Sequence, residues 1–159
     1  MRNRITGRGR VLLRALLAAV FMVTGFGLSA GSAQAGSWCV NPYCSETYND
    51  SSVYADAYRN WCGDAEYLVQ GDAPCGYKGD REYVRLNSRG SHTNGFEDWD
   101  TLKIDAGCEY ILQYWYVTQP GEGFWGSQFS RSRHNSTTPG WQRVHNNQTL
   151  YVRAQYCDD

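Results

Sequence analysis

What most constrains this 159-residue chain is the placement of its six cysteines: Cys39, Cys44, Cys62, Cys75, Cys108 and Cys157. All six follow an N-terminal stretch built like an export signal. An exported chain meets oxidants that pair its thiols, whereas the cytosol keeps thiols reduced. An even count after a signal reads as three disulfides with no thiol left over. Six cysteines admit about 15 pairings, and spacing does not choose among them. Cys157, close to the end, is placed to tie the last strand back to an earlier element.

The signal reads as follows. Arg2, Arg4, Arg8, Arg10 and Arg14 carry positive charge with no acid among them, and a nearly apolar run extends from Ala15 to Leu28. Ala33-Gln34-Ala35 then fits a signal peptidase site, with Gly36 as the new N-terminus. The run is short for a membrane span, which needs about 20 apolar residues, and no later segment approaches that length. Without a twin-arginine pair, the general secretory route is expected. Long Arg-rich signals of this kind resemble bacterial ones, those of actinobacteria included. The expectation is a cleaved signal over 1–35 and one disulfide-rich domain over 36–159, secreted to the extracellular space and free of membrane after cleavage.

All sixteen acids but only ten of the fifteen Lys and Arg lie beyond residue 35, a net charge of −6 for that part. An acidic surface repels phosphate backbones and anionic lipid, so nucleic acid and membrane are not expected partners. All six Trp, all twelve Tyr and three of the five Phe fall there too, while Leu and Ile are scarce. A core short of Leu and Ile is filled by aromatics, each burying about 150–250 Å². Disulfides then add roughly 2–4 kcal/mol each by restricting the unfolded chain.

Alternation of period two is cleanest from Thr149 to Cys157, where Leu150, Val152, Ala154 and Tyr156 share one face. Thr101 to Asp105 alternates as well. Cys108 to Thr118 is apolar on both faces and rich in β-formers, which reads as a central strand. These two runs look like a hairpin turning at Ala106-Gly107. Glu82 to Asn87 and Glu66 to Gln70 are weaker strands. Ser52 to Trp61 carries apolar residues at helical spacing and is the one helical candidate. Gly71–Asp80, Ser88–Asp98, Gln119–Gln128 and Arg131–Gly140 read as surface loops. The expected fold is all-β and mainly antiparallel, a small disulfide-stapled sandwich or barrel with at most one short helix.

Motifs for chemistry are sparse. His92, His134 and His145 show no metal-ligand spacing, and the cysteines lack a zinc pattern; neither metal nor cofactor is expected. Glu97, Asp98, Asp100 and Asp105 form the densest acid cluster, a candidate for Ca²⁺, but without an Asp-x-Asn-x-Asp-Gly loop it reads better as a solvated loop around Trp99. No Gly-x-Ser-x-Gly is present. The order Glu109, Arg131, Arg133, His145, with the stretch VHNNQTLYVRAQYC from Val144 to Cys157, faintly resembles the small secreted microbial ribonucleases. That resemblance implies a Glu base, phosphate-binding Arg and a His acid on an antiparallel sheet, although the Arg pair lies too far from the Glu for the family's spacing. The ordinary reading is an outward strand carboxylate at Glu109, two solvated arginines at Arg131 and Arg133, and a turn residue at His145.

Aromatics in loop-like segments are the most suggestive feature. Phe124 and Trp125 stand between glycines, Trp99 between aspartates, and Trp141 follows Pro139-Gly140. Such rings either anchor a partner or fold back over a Leu-poor core. The expectation is a non-catalytic protein-binding module, an adaptor subunit or inhibitor, that meets another secreted or cell-surface protein through Phe124, Trp125, Trp99 and Trp141 or through the segment 36–40. The alternatives are a glycan- or cell-wall-binding module and a small ribonuclease-like hydrolase.

Overall fold

The computed structural model describes residues 44–75 and 83–158. The expected signal and cleavage site, the segment 36–40, Cys39 and the loop residues 76–80 lie outside these. All described residues fall within one compact unit. Among them there is no helix. Eleven strands follow in order: β1 Glu46–Asn49, β2 Ala55–Tyr58, β3 Tyr67–Val69, β4 Tyr83–Leu86, β5 Ser91–His92, β6 Thr101–Ile104, β7 Cys108–Gln119, β8 Glu122–Trp125, β9 Phe129–Ser132, β10 Gly140–Arg143 and β11 Gln148–Cys157.

They form two sheets. The larger runs β5-β1-β11-β7-β8, with β9 also on β7; the smaller runs β3-β10-β6-β2-β4. Every pairing is antiparallel except β1 with β11. The inner faces meet in a core of Ala55, Leu102 and Ile104 from one sheet and Cys108, Tyr110, Leu112, Leu150 and Val152 from the other. The protein is therefore a disulfide-containing β-sandwich. Aromatics fill the space that missing Leu and Ile leave. Tyr110 is fully buried and donates its hydroxyl to Asp105 Oδ2 at 2.9 Å. Tyr114 donates to the Arg143 carbonyl and accepts from Gln142 Nε2 at 2.9 Å. Burial holds both phenols far above the usual tyrosine range.

Three expectations are corrected. Ser52 to Trp61 is not helical: Ala55–Tyr58 forms β2, because Ala55 and Ala57 are small enough to sit between Leu86, Val84 and Leu102 on paired strands. Tertiary pairing overrides a short helical spacing. The runs from Thr101 and from Cys108 do not form a hairpin. Gly107, at φ 75°, turns the chain from the smaller sheet to the larger, so β6 and β7 face each other across the core. Three expected loops carry strand residues, because β5 pairs with β1, and β8 and the end of β9 pair with the long β7.

The last strand shows why strict alternation misleads. Its register shifts between Val152 and Ala154, leaving Arg153 as a bulge. Beyond it, Ala154 pairs with outward Ile111 and Tyr156 with Glu109, while Gln155 and Cys157 turn inward. The shift brings Cys157 directly opposite Cys108, and the two are disulfide-bonded. Cys62 bonds Cys75, and Cys44 is disulfide-bonded as well. Among the described residues no cysteine is free.

Candidate functional site

The two outer faces differ. On the smaller sheet, Tyr58, Leu68 and Trp141 point outward, and the segment closed by Cys62–Cys75 lays Trp61 and Ala73 over them. Trp141 Nε1 donates to the Gln70 carbonyl at 3.1 Å and its ring meets Tyr58 edge-on at 5.1 Å. Tyr58, flanked by Asp56 and Tyr83, is pushed up to about 12, mainly by burial.

On the larger sheet no other described strand covers the outer face. A row of rings crosses it from strand to strand. His92 on β5 stacks on Tyr48 of β1 at 4.6 Å, and Tyr48 stacks on Tyr151 of β11 at 5.0 Å. Tyr151 meets Trp125 of β8 edge-on at 4.8 Å, and Trp125 meets Trp115 of β7 at 4.9 Å. The row follows from register: Tyr48 pairs with both His92 and Tyr151, and Trp115 pairs with Trp125. Cross-strand partners share a face about 5 Å apart, which is also the stacking distance. Trp115 lies so close over Gly123 that a Cβ there would come within 2.6 Å of its ring. Arg153, outward like Tyr151 two residues before it, lies 4.6 Å over Trp125 and 4.5 Å over Tyr151, donates Nε to Gln113 at 3.1 Å and pairs with Asp50.

Because His92 and Tyr151 stack on it, Tyr48 has its ring faces occupied and leaves its edge and hydroxyl clear of those rings. The row is a rigid surface of ring edges and polar tips. Phe124, on the opposite face of β8, stacks on Tyr116 at 5.0 Å and is 56% exposed; Trp125 is 47% exposed. Both stand on a strand and not in a loop. Trp99 and Trp141, expected as exposed binding rings, are 5% and 3% exposed and belong to the core. Trp99 packs with Ala57 and Leu86 beneath Arg59. His92, Tyr48, Tyr151 and Trp115 were missed because they belong together only through pairing of strands distant in sequence.

The residues of the ribonuclease-like reading do not converge. Glu109 pairs with Ser132 and Arg131 with Tyr110, so Glu109 and Arg131 stand on opposite faces of the sheet. Arg131 Nε donates to buried Gln142 at 2.7 Å, and Arg133 donates to the Thr138 carbonyl at 3.0 Å. His145 is bound to Glu66 at 2.7 Å, near the end of β11 that pairs with Tyr116, whereas Glu109 pairs with Tyr156. Seven residues of strand separate those ends, about 23 Å. Glu109 instead accepts from Ser130 and lies 3.7 Å from His134 Nε2, whose Nδ1 is 2.6 Å from Asp158. Backbone donation from Asn135 and the His134 contact lower the Asp158 carboxyl below its usual value. Both ring nitrogens of His134 are therefore committed to carboxylates.

The acidic cluster also disperses. Glu97 pairs with Arg59 at 2.6 Å and Asp105 with Lys103 at 2.7 Å. Asp98 and Asp100, both 5% exposed, converge on Ser45 at the entry to β1, with Oγ at 2.6 Å from Asp98 Oδ1 and 3.1 Å from Asp100 Oδ1. One hydroxyl has one proton to donate. The second contact is satisfied when Asp100 itself carries a proton and donates it to Ser45. Burial, then the charge of Asp98, raises Asp100 to about 7. Among the described residues no group of three or more His, Cys, Asp or Glu is disposed to hold a metal ion.

A scan against protein-family models and searches of curated proteins and of solved structures each return no match.

Proposed function

We propose that this chain is an exported, non-catalytic protein-binding module that meets its partner through the open outer face of the larger sheet. The carrying observation is the uncovered row His92–Tyr48–Tyr151–Trp125–Trp115, with Arg153 packed against it. Trp, Tyr and Arg are the residue types that dominate interface hot spots. Rings locked against one another lose little freedom on binding, which lowers the entropic cost of association. Stacking on a sugar needs free ring faces, and in Tyr48 both are occupied, which favours a protein over a glycan. A hydrolase reading has no convergent acid and base among Glu109, Arg131, Arg133 and His145. The disulfides fit an oxidising, extracellular setting.

The test is affinity capture from the producer's culture supernatant, with the wild-type domain beside a Trp125→Ser/Tyr151→Ser variant. A stoichiometric protein retained by the wild type and lost by the variant supports the reading. Capture of nothing, or equal capture by both, overturns it.

A further inference from the structure

Beside the row of rings stands a carboxylate that no described lysine or arginine pairs with. Glu46 shares the outer face with Tyr48, two residues along β1, and pairs in register with Thr149 beside Tyr151. It is only partly exposed, and its carboxylate forms no ion pair or hydrogen bond with the described residues. Burial raises it from the ordinary glutamate value, and His92 offsets part of that. The charge is felt along the row: Tyr48 is raised by burial, then by Glu46 and Asp50, and Tyr151 by burial and then by Tyr48, with Asp50 and Glu46 adding to it and Arg153 opposing. Among the described residues, the arginine on this face, Arg153, is already paired with Asp50. Glu109 and Asp158 keep the far end of the sheet acidic around His134.

Resting on the protein-binding reading, we infer that the occupant of this face is a basic segment, and that a lysine or arginine of the partner seats between the Glu46 carboxylate and the hydroxyl tips of Tyr48 and Tyr151. A half-buried carboxylate that pairs with no described Lys or Arg, and that His92 offsets in part, is stabilised when a full cation reaches it. The net charge of −6 beyond residue 35 steers such a partner toward the protein.

The experiment titrates the full domain with two synthetic peptides, one alternating lysine and leucine and one alternating glutamate and leucine, followed by tryptophan fluorescence. The lysine peptide is expected to bind and to weaken as salt rises from about 0.05 to about 0.5 M. Glu46→Gln is expected to weaken it about tenfold, the loss of one charge-assisted contact. Glu46→Lys is expected to abolish binding. Asp72→Lys, an equal change of net charge in the loop over the other sheet, is expected to leave affinity unchanged; circular dichroism checks that each variant is folded. Equal affinity for the two peptides, or equal weakening by Glu46→Lys and Asp72→Lys, overturns the inference. If the supernatant partner is lost with Trp125→Ser/Tyr151→Ser yet captured fully by Glu46→Lys, the basic-segment inference fails while the protein-binding reading stands.

Discussion

Trp141 and Trp125 both stand on the outward side of a strand in this sandwich, yet one is 3% exposed and the other 47%. Each follows a short stretch with glycine and each meets a tyrosine edge-on, Tyr58 for the first and Tyr151 for the second. The difference is the cover. Trp61 and Ala73, near the two ends of the segment closed by Cys62–Cys75, pack with Trp141, whereas among the described residues Trp125 meets rings and a guanidinium of its own sheet. Of the two outward faces of the sandwich, the described residues cover one. The covered face turns aromatics into core; the open one keeps them ordered by stacking them on each other.

The largest test of that contrast is truncation of the two rings. Trp141→Ala removes a buried indole and its bond to Gln70, and is expected to cost about 3–5 kcal/mol. Trp125→Ala is expected to cost about 1 kcal/mol or less, because much of its ring already meets water. Urea unfolding of both variants decides the matter, and equal losses would erase the distinction between the faces.

The open face lacks a cover, so its β1 must be held from behind, and the Ser45–Asp98–Asp100 clasp does this from the core side. The folded chain keeps the Asp100 proton up to about pH 7, whereas an unfolded aspartate releases it near pH 3.9. Between those values the folded state binds more protons, so stability from this group falls as pH rises and levels off above 7. Asp100→Asn keeps the donor and removes the titration. Wild type and variant should be similar below pH 4, with the variant gaining as pH rises to 8, by at most about 4 kcal/mol for a shift of this size. Parallel stability curves from pH 4 to 8 would mean that the proton is not there.

Opening the cover sharpens the comparison from the other side. Cys62→Ser/Cys75→Ser releases a short closed loop, worth about 3 kcal/mol. Acrylamide should then quench Trp141 as readily as Trp125. Continued protection of Trp141 would show that Trp61 and Ala73 hold the loop without the staple.

The same contrast marks how far sequence reasoning reaches. Thr149–Cys157 announces itself as a strand, and an even cysteine count announces disulfides, because both are local or compositional features. Whether a given tryptophan is core or surface depends on which distant segment crosses it. Nothing near Trp141 announces the loop from Trp61, and nothing near Tyr48 announces Tyr151. The helical spacing in Ser52–Trp61 was real, but four residues pairing with β4 and β6 outweigh a helix too short to persist alone. The bulge at Arg153 is invisible to an alternation count, yet it moves every later side chain to the opposite face.

The smallest expected effect concerns that bulged arginine, which ties the open row together without any cover. Arg153→Lys keeps the positive charge and the reach to Asp50 but loses the planar group lying over Trp125 and Tyr151 and the Nε bond to Gln113. Exposed cation–π contacts contribute about 0.5–1 kcal/mol, so the loss in stability should be of that order. Trp125 should also become more mobile, read as a lower fluorescence anisotropy at unchanged fold. If Arg153→Lys leaves both quantities as they were, the rings are ordered by their mutual stacking alone, and the guanidinium is available to a partner instead of being part of the platform.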